Sequence, residues 1–242
     1  MILRKWEDLP AEMQTEEVWP YYDALAEKKI SLFFKRIFDV VVSLIMLLLL
    51  SPVFLALAVA IKLDSPGSVF FRQVRVTQYG REFRIFKFRT MVSNAENLGA
   101  QVTTKNDTRI TRVGNVIRRC RLDEIPQLLN ILTGDMSFVG TRPEVVKYVR
   151  QYTPEMMATL LLPAGVTSEA SIRYKDEDRL LDGAEDMDRV YVDEVLPGKM
   201  KFNLQSVRQF NFWRDIETMW RTAFAVAGTA EMENKKTGVI SE

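Results

Sequence analysis

The sequence predicts an α+β protein, mostly helical and membrane-associated, with one small β-hairpin and an N-terminal re-entrant membrane helix. Three observations point there. Val40 to Ile61 is an apolar block of 22 residues without a charge, the length and composition of a membrane segment. Two aromatic and β-branched runs, at 69–76 and 83–88, flank Tyr79-Gly80, as in a hairpin. From about Met91 onward the apolar spacing is mainly helical, with breaks at Gly114, Pro126, Gly134, Pro143, Pro154, Pro163 and Pro197.

Residues 1–34 form a polar, partly amphipathic extension in which Trp6, Trp19, Tyr21, Tyr22, Phe33 and Phe34 stand among charges. Such aromatics suit either a headgroup-level surface or a packed N-terminal helix. The membrane helix is expected over 35–62. Straight, its apolar block would be roughly 33 Å long at about 1.5 Å per residue, enough to cross. Ser51-Pro52 near its midpoint argues for a sharp bend, because proline lacks the backbone donor and clashes with the preceding turn. Lys28, Lys29, Lys35 and Arg36 precede the block, and Lys62, Arg72, Arg75, Arg81 and Arg84 follow it. Basic residues on both flanks favour the cytosol for both, hence two short arms that enter one leaflet and return. An ordinary spanning helix with a tolerated kink is the alternative. Asp39, one helical step from Lys35 and Arg36, is expected to pair with them at the interface.

The rest of the chain, 63–227, reads as one body, followed by a tail over 228–242. With no histidine and a single cysteine, Cys120, the sequence excludes histidine-dependent nucleophiles, histidine metal sites and internal disulfides. No phosphate-binding glycine loop is present. Residues 62–142 hold fourteen Lys and Arg against seven Asp and Glu, although the whole chain carries only +1. That local excess suits anionic lipid or phosphorylated substrates. No recognisable nucleic-acid module accompanies it, so no nucleic-acid partner is expected.

The most informative stretch runs from Asp107 to Glu144. Asp123-Glu124 precedes Pro126 and the apolar run Leu128, Leu129, Ile131 and Leu132, which is how a helix begins. Acids there cap orphan N–H groups in many proteins. Here Arg112, Arg118, Arg119 and Arg121 come just before them and Arg142 follows. Guanidinium forks around a carboxylate pair suit a diphosphate, with Mg²⁺ on a carboxylate neutralising the remainder, although salt bridging would look identical. Lys87 and Arg89, in the run KFRTM that closes the hairpin, add two cations expected on one strand face.

Taken in order, KFRTM and TRVGNVIRRCRLDEIPQLLNILTGDMSFVGTRPE resemble the bacterial sugar transferases, the monotopic polyprenyl-phosphate phosphoglycosyl transferases. The likeness covers about Lys35 to Ala227, including the Ser51-Pro52 break. It implies a re-entrant helix in the lipid bilayer and a catalytic domain with interfacial helices on the cytosolic face of a bacterial inner membrane. The implied reaction moves a sugar-1-phosphate from a UDP-sugar to undecaprenyl phosphate, releases UMP and opens a surface glycan pathway. The resemblance assigns Asp123 and Glu124 as the catalytic pair, Asp123 being nucleophile and Mg²⁺ contact. Arg118 and Arg142 then hold phosphate, alongside Lys87 and Arg89. Thr141 stands where the family's Pro-Arg-Pro has its leading proline, and Ser168-Glu169 departs from a following segment, which bears on sugar specificity. Neither the sugar nor the oligomeric state is specified; a homo-oligomer is compatible.

Two rivals use the same residues: a membrane-tethered protein that docks lipid or a partner without chemistry, and a transferase that passes the phosphosugar directly to the lipid. The acids from Asp176 to Asp188 read as a solvated face. Phe210, Trp213, Ile216, Trp220 and Phe224 have the spacing of one helical face, either core or headgroup layer.

Overall fold

The computed structural model describes residues 3–93, 95, 107–174 and 186–237, with side chains to residue 225. It is α+β and dominated by helix. After two short 3₁₀ turns comes α1 (Trp19–Ala26), with Pro20 in its first turn, where its missing donor costs nothing. Leu9, Met13, Val18, Tyr21 and Leu25 share a core with Leu160, Leu161, Val207 and Phe210. Tyr21 Oη donates to Glu155 Oε1 at 2.6 Å. The packed alternative thus describes the core side of this segment, whereas Trp19, Phe33 and Phe34 stay exposed. The expected boundary at residue 34/35 falls inside a helix.

That helix is α2 (Lys29–Leu49), followed at a bend of 61° by α3 (Ser51–Asp64). Among the described residues no single helix is long and apolar enough to cross a membrane, and only this bent pair passes together. The bend has a local cause. Pro52 has no N–H to offer the Leu48 carbonyl four residues back, and Ser51 Oγ donates to it instead at 2.8 Å. The apolar side chains around the bend, including Leu48, Leu49 and Leu55, are exposed.

Only one stripe of α2, Leu32, Lys35, Asp39 and Ser43, is buried. Its charges do not pair with one another as the sequence suggested. Lys35 Nζ binds Asp215 Oδ2 at 2.5 Å and Val139 O at 2.8 Å. Asp39 Oδ1 accepts the Phe138 N–H at 3.2 Å, and Arg36 donates to Ile131 O and Leu132 O at 2.7 and 2.9 Å. Facing the body, each group meets a partner that cannot move away. At the interface it would compete with water.

The hairpin forms as expected. Strands β1 (Phe70–Val76) and β2 (Glu82–Phe88) are antiparallel, from Phe70 opposite Phe88 to Val76 opposite Glu82. Phe88 also meets Phe54 of α3, which ties the hairpin to the bent helix. Next come α4 (Arg112–Arg119) and α5 (Gln127–Thr133), the latter ended by Gly134 in the left-handed region. Strand β3 (Met136–Val139) then pairs in parallel with β4 (Ala164–Thr167), across α6 (Val146–Val149) and a 3₁₀ stretch. This second sheet was not anticipated. Its four-residue strands carry too little pattern to stand out from helix-length apolar spacing.

Short α7 (Glu169–Arg173) and α8 (Met187–Val190) precede a π-helical turn, Tyr191–Val195, that feeds α9 (Leu196–Arg208). The last helix, α10 (Phe212–Thr237), runs through the expected tail boundary at 228. Of the aromatic face, Phe210 is core, while Trp213, Trp220 and Phe224 are exposed. Of the acidic stretch, 176–185 lies outside the described residues; Asp188 pairs with Lys147.

Gly140 and Gly165 meet where the second sheet ends, and a Cβ on Gly165 would overlap the Gly140 backbone. Gly165→Ala should therefore destabilise the fold by about 1–3 kcal/mol, since backbone rather than a flexible side chain must yield. Thermal unfolding in detergent measures this, and an unchanged Tm would show that the strands part without cost.

Candidate active site

Four side chains from three separated segments converge. Lys87 projects from β2, and Asp123 and Glu124 occupy a 3₁₀ turn, Leu122–Glu124, wedged between α4 and α5. Arg142 lies on the loop that leaves β3. Arg121 takes φ +56° just before the turn, a left-handed reversal uncommon outside glycine. It reverses the chain so that the two acids face the hairpin. Asn130 of α5 secures this approach: its Oδ1 accepts the Phe86 N–H at 2.8 Å and its Nδ2 donates to Arg84 O at 3.1 Å. It thereby pins α5 to backbone groups along β2, sharing the Arg84 carbonyl with Arg72 Nη2 at 3.2 Å. Sequence reasoning missed this residue, although an asparagine inside the apolar run 128–132 is a detectable signal.

Glu124 holds both cations. Its Oε1 accepts from Lys87 Nζ at 2.9 Å and from Arg142 Nη2 at 2.6 Å. Asp123 Oδ2 stands 3.9 Å from Lys87 Nζ, a longer contact. The two acids are mostly shielded and Arg142 is more open. Burial raises the Asp123 carboxyl above its ordinary value; Lys87 and Arg118 pull it down, and the Glu124 charge adds to the rise. Burial acts the same way on Glu124, but Arg142 and Lys87 overcome it and hold that carboxyl well below the usual range. Two neighbouring acids are thus driven apart. That is how environment divides roles between like groups.

Arg118 stands in the last turn of α4 and acts electrostatically on both Asp123 and Asp107. Arg89 does not join the group. Its guanidinium is buried and donates to Ser65 O at 2.7 Å, to Pro66 O and to Ser93 Oγ. The C-terminal end of α3 needs donors for its free carbonyls, and Arg89, one residue past the end of β2, supplies them. Strand alternation therefore does not extend to it. Arg112, Arg119 and Arg121 are exposed.

The described residues contain no group of three or more His, Cys, Asp or Glu side chains able to hold a metal. Asp123 and Glu124 could supply only part of a coordination shell. That is the usual protein share for Mg²⁺, which keeps waters and takes substrate phosphate oxygens. A cavity of about 330 Å³ lies on the other flank of the arginine loop, between Thr141, Ser168, Asn203 and Arg221. Neither dyad acid lines it.

A family model described as bacterial sugar transferase matches residues 30–229. The chain is 36% identical over 217 residues to the UDP-glucose:undecaprenyl-phosphate glucose-1-phosphate transferase of Escherichia coli, covering 88% of this chain and 44% of that protein. It is 38% identical over 202 residues to the UDP-N-acetylgalactosamine-undecaprenyl-phosphate N-acetylgalactosaminephosphotransferase of Aeromonas hydrophila, covering 82% and 45%. The Caulobacter vibrioides UDP-glucose:undecaprenyl-phosphate glucose-1-phosphate transferase is 35% identical over 191 residues, covering 78% and 67%. The chain thus spans less than half the length of the first two relatives.

Carboxyl-detected NMR titration should find Asp123 above and Glu124 below the ordinary carboxylate range. Lys87 favours the charged form of both acids, so Lys87→Met should move both titrations to higher pH. Unmoved titrations would separate Lys87 from the electrostatics of the dyad.

Proposed function

The chain belongs to the bacterial sugar transferase family, and from that membership we propose that it transfers a sugar-1-phosphate from a UDP-sugar to undecaprenyl phosphate. The products are undecaprenyl-diphosphate sugar and UMP, in the first step of a bacterial surface glycan. The relatives differ in the sugar they are named for, glucose in one and N-acetylgalactosamine in another. The sugar therefore stays open for this chain.

The observation that carries the chemistry is the division between the acids. Glu124 accepts hydrogen bonds from Lys87 and Arg142, while Asp123 stands 3.9 Å from the Lys87 ammonium and in the field of Arg118, so among the described residues Asp123 is the acid less engaged by cations and the better placed to attack. In the proposed reaction an Asp123 oxygen bonds to the sugar-bearing phosphorus as the bond from that phosphorus to the UMP oxygen breaks. UMP departs with that electron pair and leaves an aspartyl phosphosugar. An oxygen of undecaprenyl phosphate then bonds to the same phosphorus and releases the Asp123 carboxylate. Mg²⁺, when bound at the dyad, would neutralise phosphate charge. Lys87, Arg118 and Arg142 are placed to bind phosphoryl oxygens, Arg142 as the more open guanidinium. Splitting the transfer lets two bulky substrates use one site in turn.

The bent pair α2–α3 supports a monotopic placement in the lipid bilayer, on the cytosolic face of the inner membrane. Its exposed apolar bend would enter one leaflet, with the flanking lysines and arginines on the same side. The exposed Trp213, Trp220 and Phe224 of α10 suit the headgroup layer.

Two measurements test this reading. Incubated with Mg²⁺ and UDP-glucose or UDP-N-acetylgalactosamine but no lipid, the wild type should release UMP and gain the mass of one phosphosugar. Asp123→Asn should do neither. An adduct persisting in Asp123→Asn would move the nucleophile, and rates requiring both substrates together without any adduct would favour direct transfer. For topology, cysteines placed at positions 30 and 68 in a Cys120→Ser background should be shielded together from an impermeant reagent in intact cells. Labelling of one and not the other would make α2–α3 a crossing.

A further inference from the structure

The loop that carries Arg142 is gripped from behind by a buried polar cluster. We propose that Glu144, held by Tyr191 and Lys199, is the positioning element that sets where the Arg142 guanidinium stands. This rests on the transfer reaction proposed above for the importance of Arg142, though not for its geometry. Glu144 lies two residues beyond Arg142, across Pro143, and its side chain turns inward to burial. Tyr191 Oη donates to Glu144 Oε1 at 2.5 Å. Lys199 Nζ donates to Tyr191 Oη at 2.9 Å and stands 3.4 Å from the same carboxylate oxygen. All three side chains are nearly inaccessible.

The backbone on either side of that carboxylate is fixed as well. The Val76 N–H donates to Glu144 O at 3.0 Å, and Arg75 Nη1 donates to Pro143 O at 3.1 Å. At the other end of the loop, the Gly140 N–H donates to Thr167 O and the Gly165 N–H to Thr141 O. Arg142 is thus the outward-facing member of a short segment anchored on both sides.

Three features favour positioning over plain stability. A buried ion pair contributes little net stability compared with apolar packing, and fixing a unique geometry is one documented use of such groups. Tyr191 opens the π-helical turn, and π turns often mark functional sites. An α-helix would set Tyr191 and Lys199, eight residues apart, roughly 80° apart in azimuth, and the wider turn brings them onto one carboxylate. Finally, the Tyr191 ring packs against Tyr148 with centroids 4.6 Å apart and planes tilted by 35°, so its place does not depend on the hydroxyl.

The test uses the full chain in detergent with undecaprenyl phosphate, Mg²⁺ and each of the two UDP-sugars. Tyr191→Phe and Glu144→Gln are compared alone and in an Arg142→Ala background. Each single change should lower kcat/KM about tenfold, because a guanidinium displaced by a fraction of an ångström binds developing charge less well. Arg142→Ala should cost about a hundredfold. In the Arg142→Ala background neither change should cost more, whereas losses that multiply would make the cluster independent of Arg142 and overturn the proposal. A second readout needs no activity. The Arg142 Nε–Hε NMR resonance, assigned by its loss in Arg142→Ala, should shift in Tyr191→Phe, where the ring stays beside Tyr148. An unmoved Arg142 resonance overturns the proposal. Wild-type protein that transfers neither sugar would instead count against the reaction, while the Arg142 resonance still decides the positioning.

Discussion

The structure depends on how α2 disposes of Lys35, Arg36 and Asp39 at the root of an apolar rod. A charge taken out of water costs several kcal/mol unless it is paired, so these groups can be buried only where partners wait. Lys35 meets Asp215 and the Val139 carbonyl, Asp39 meets the Phe138 N–H, and Arg36 meets the last carbonyls of α5. Those partners are not scattered. The end of α5 lies downstream of the dyad, and the end of β3 lies directly upstream of the loop bearing Arg142. One helix therefore sets the spacing between the two halves of the candidate site. Any sliding or rotation of α2 would strand a buried charge.

Asp215 shows how tightly this junction is coupled. Burial raises its carboxyl, the neighbouring Asp39 adds to the rise, and Lys35 opposes both. Through Asp215 the same lysine fixes the start of α10, where Phe212 also meets Phe38 of α2. The exposed aromatics of α10 and the exposed bend of α2–α3 are thus carried by helices joined at one ionic contact. Under the proposed monotopic placement, the depth of the bend and the seating of α10 cannot vary independently. The dyad turn, Lys87 and Arg142 stand on elements attached to that frame.

What was legible in the sequence is what local chemistry determines. The apolar block and Ser51-Pro52 specify a bent helix without reference to the rest of the chain. The alternation around Tyr79-Gly80 specifies the hairpin, and Pro126 after two acids specifies a helix start with the dyad ahead of it. The missing parts are non-local. Lys35 and Asp215 are 180 residues apart, and nothing near Lys35 hints that its partner is not Asp39. The parallel pairing of β3 and β4 rests on two glycines that let backbones touch, in strands too short to declare themselves. Arg89 was misplaced for a related reason: strand alternation put it beside Lys87, but the open end of α3 claimed its guanidinium.

The unequal treatment of Asp123 and Glu124 follows from the same geometry. Neighbouring residues on a 3₁₀ turn diverge by about 120°, so the two carboxylates reach Lys87 unequally, Glu124 at 2.9 Å and Asp123 at 3.9 Å, and it is Glu124 that pairs with Arg142. Glu124, longer by a methylene, reaches Lys87 and Arg142 and neutralises them in the absence of phosphate. Under the proposed reaction, an arriving diphosphate competes with Glu124 for those two donors. As it succeeds, Glu124 loses the partners that held its carboxyl low, and Asp123 loses part of the ammonium field that stabilised its charge. Phosphate binding would then reduce the stabilisation of the nucleophile's anion at the moment its target arrives. An anion less well stabilised in the ground state is the more reactive one.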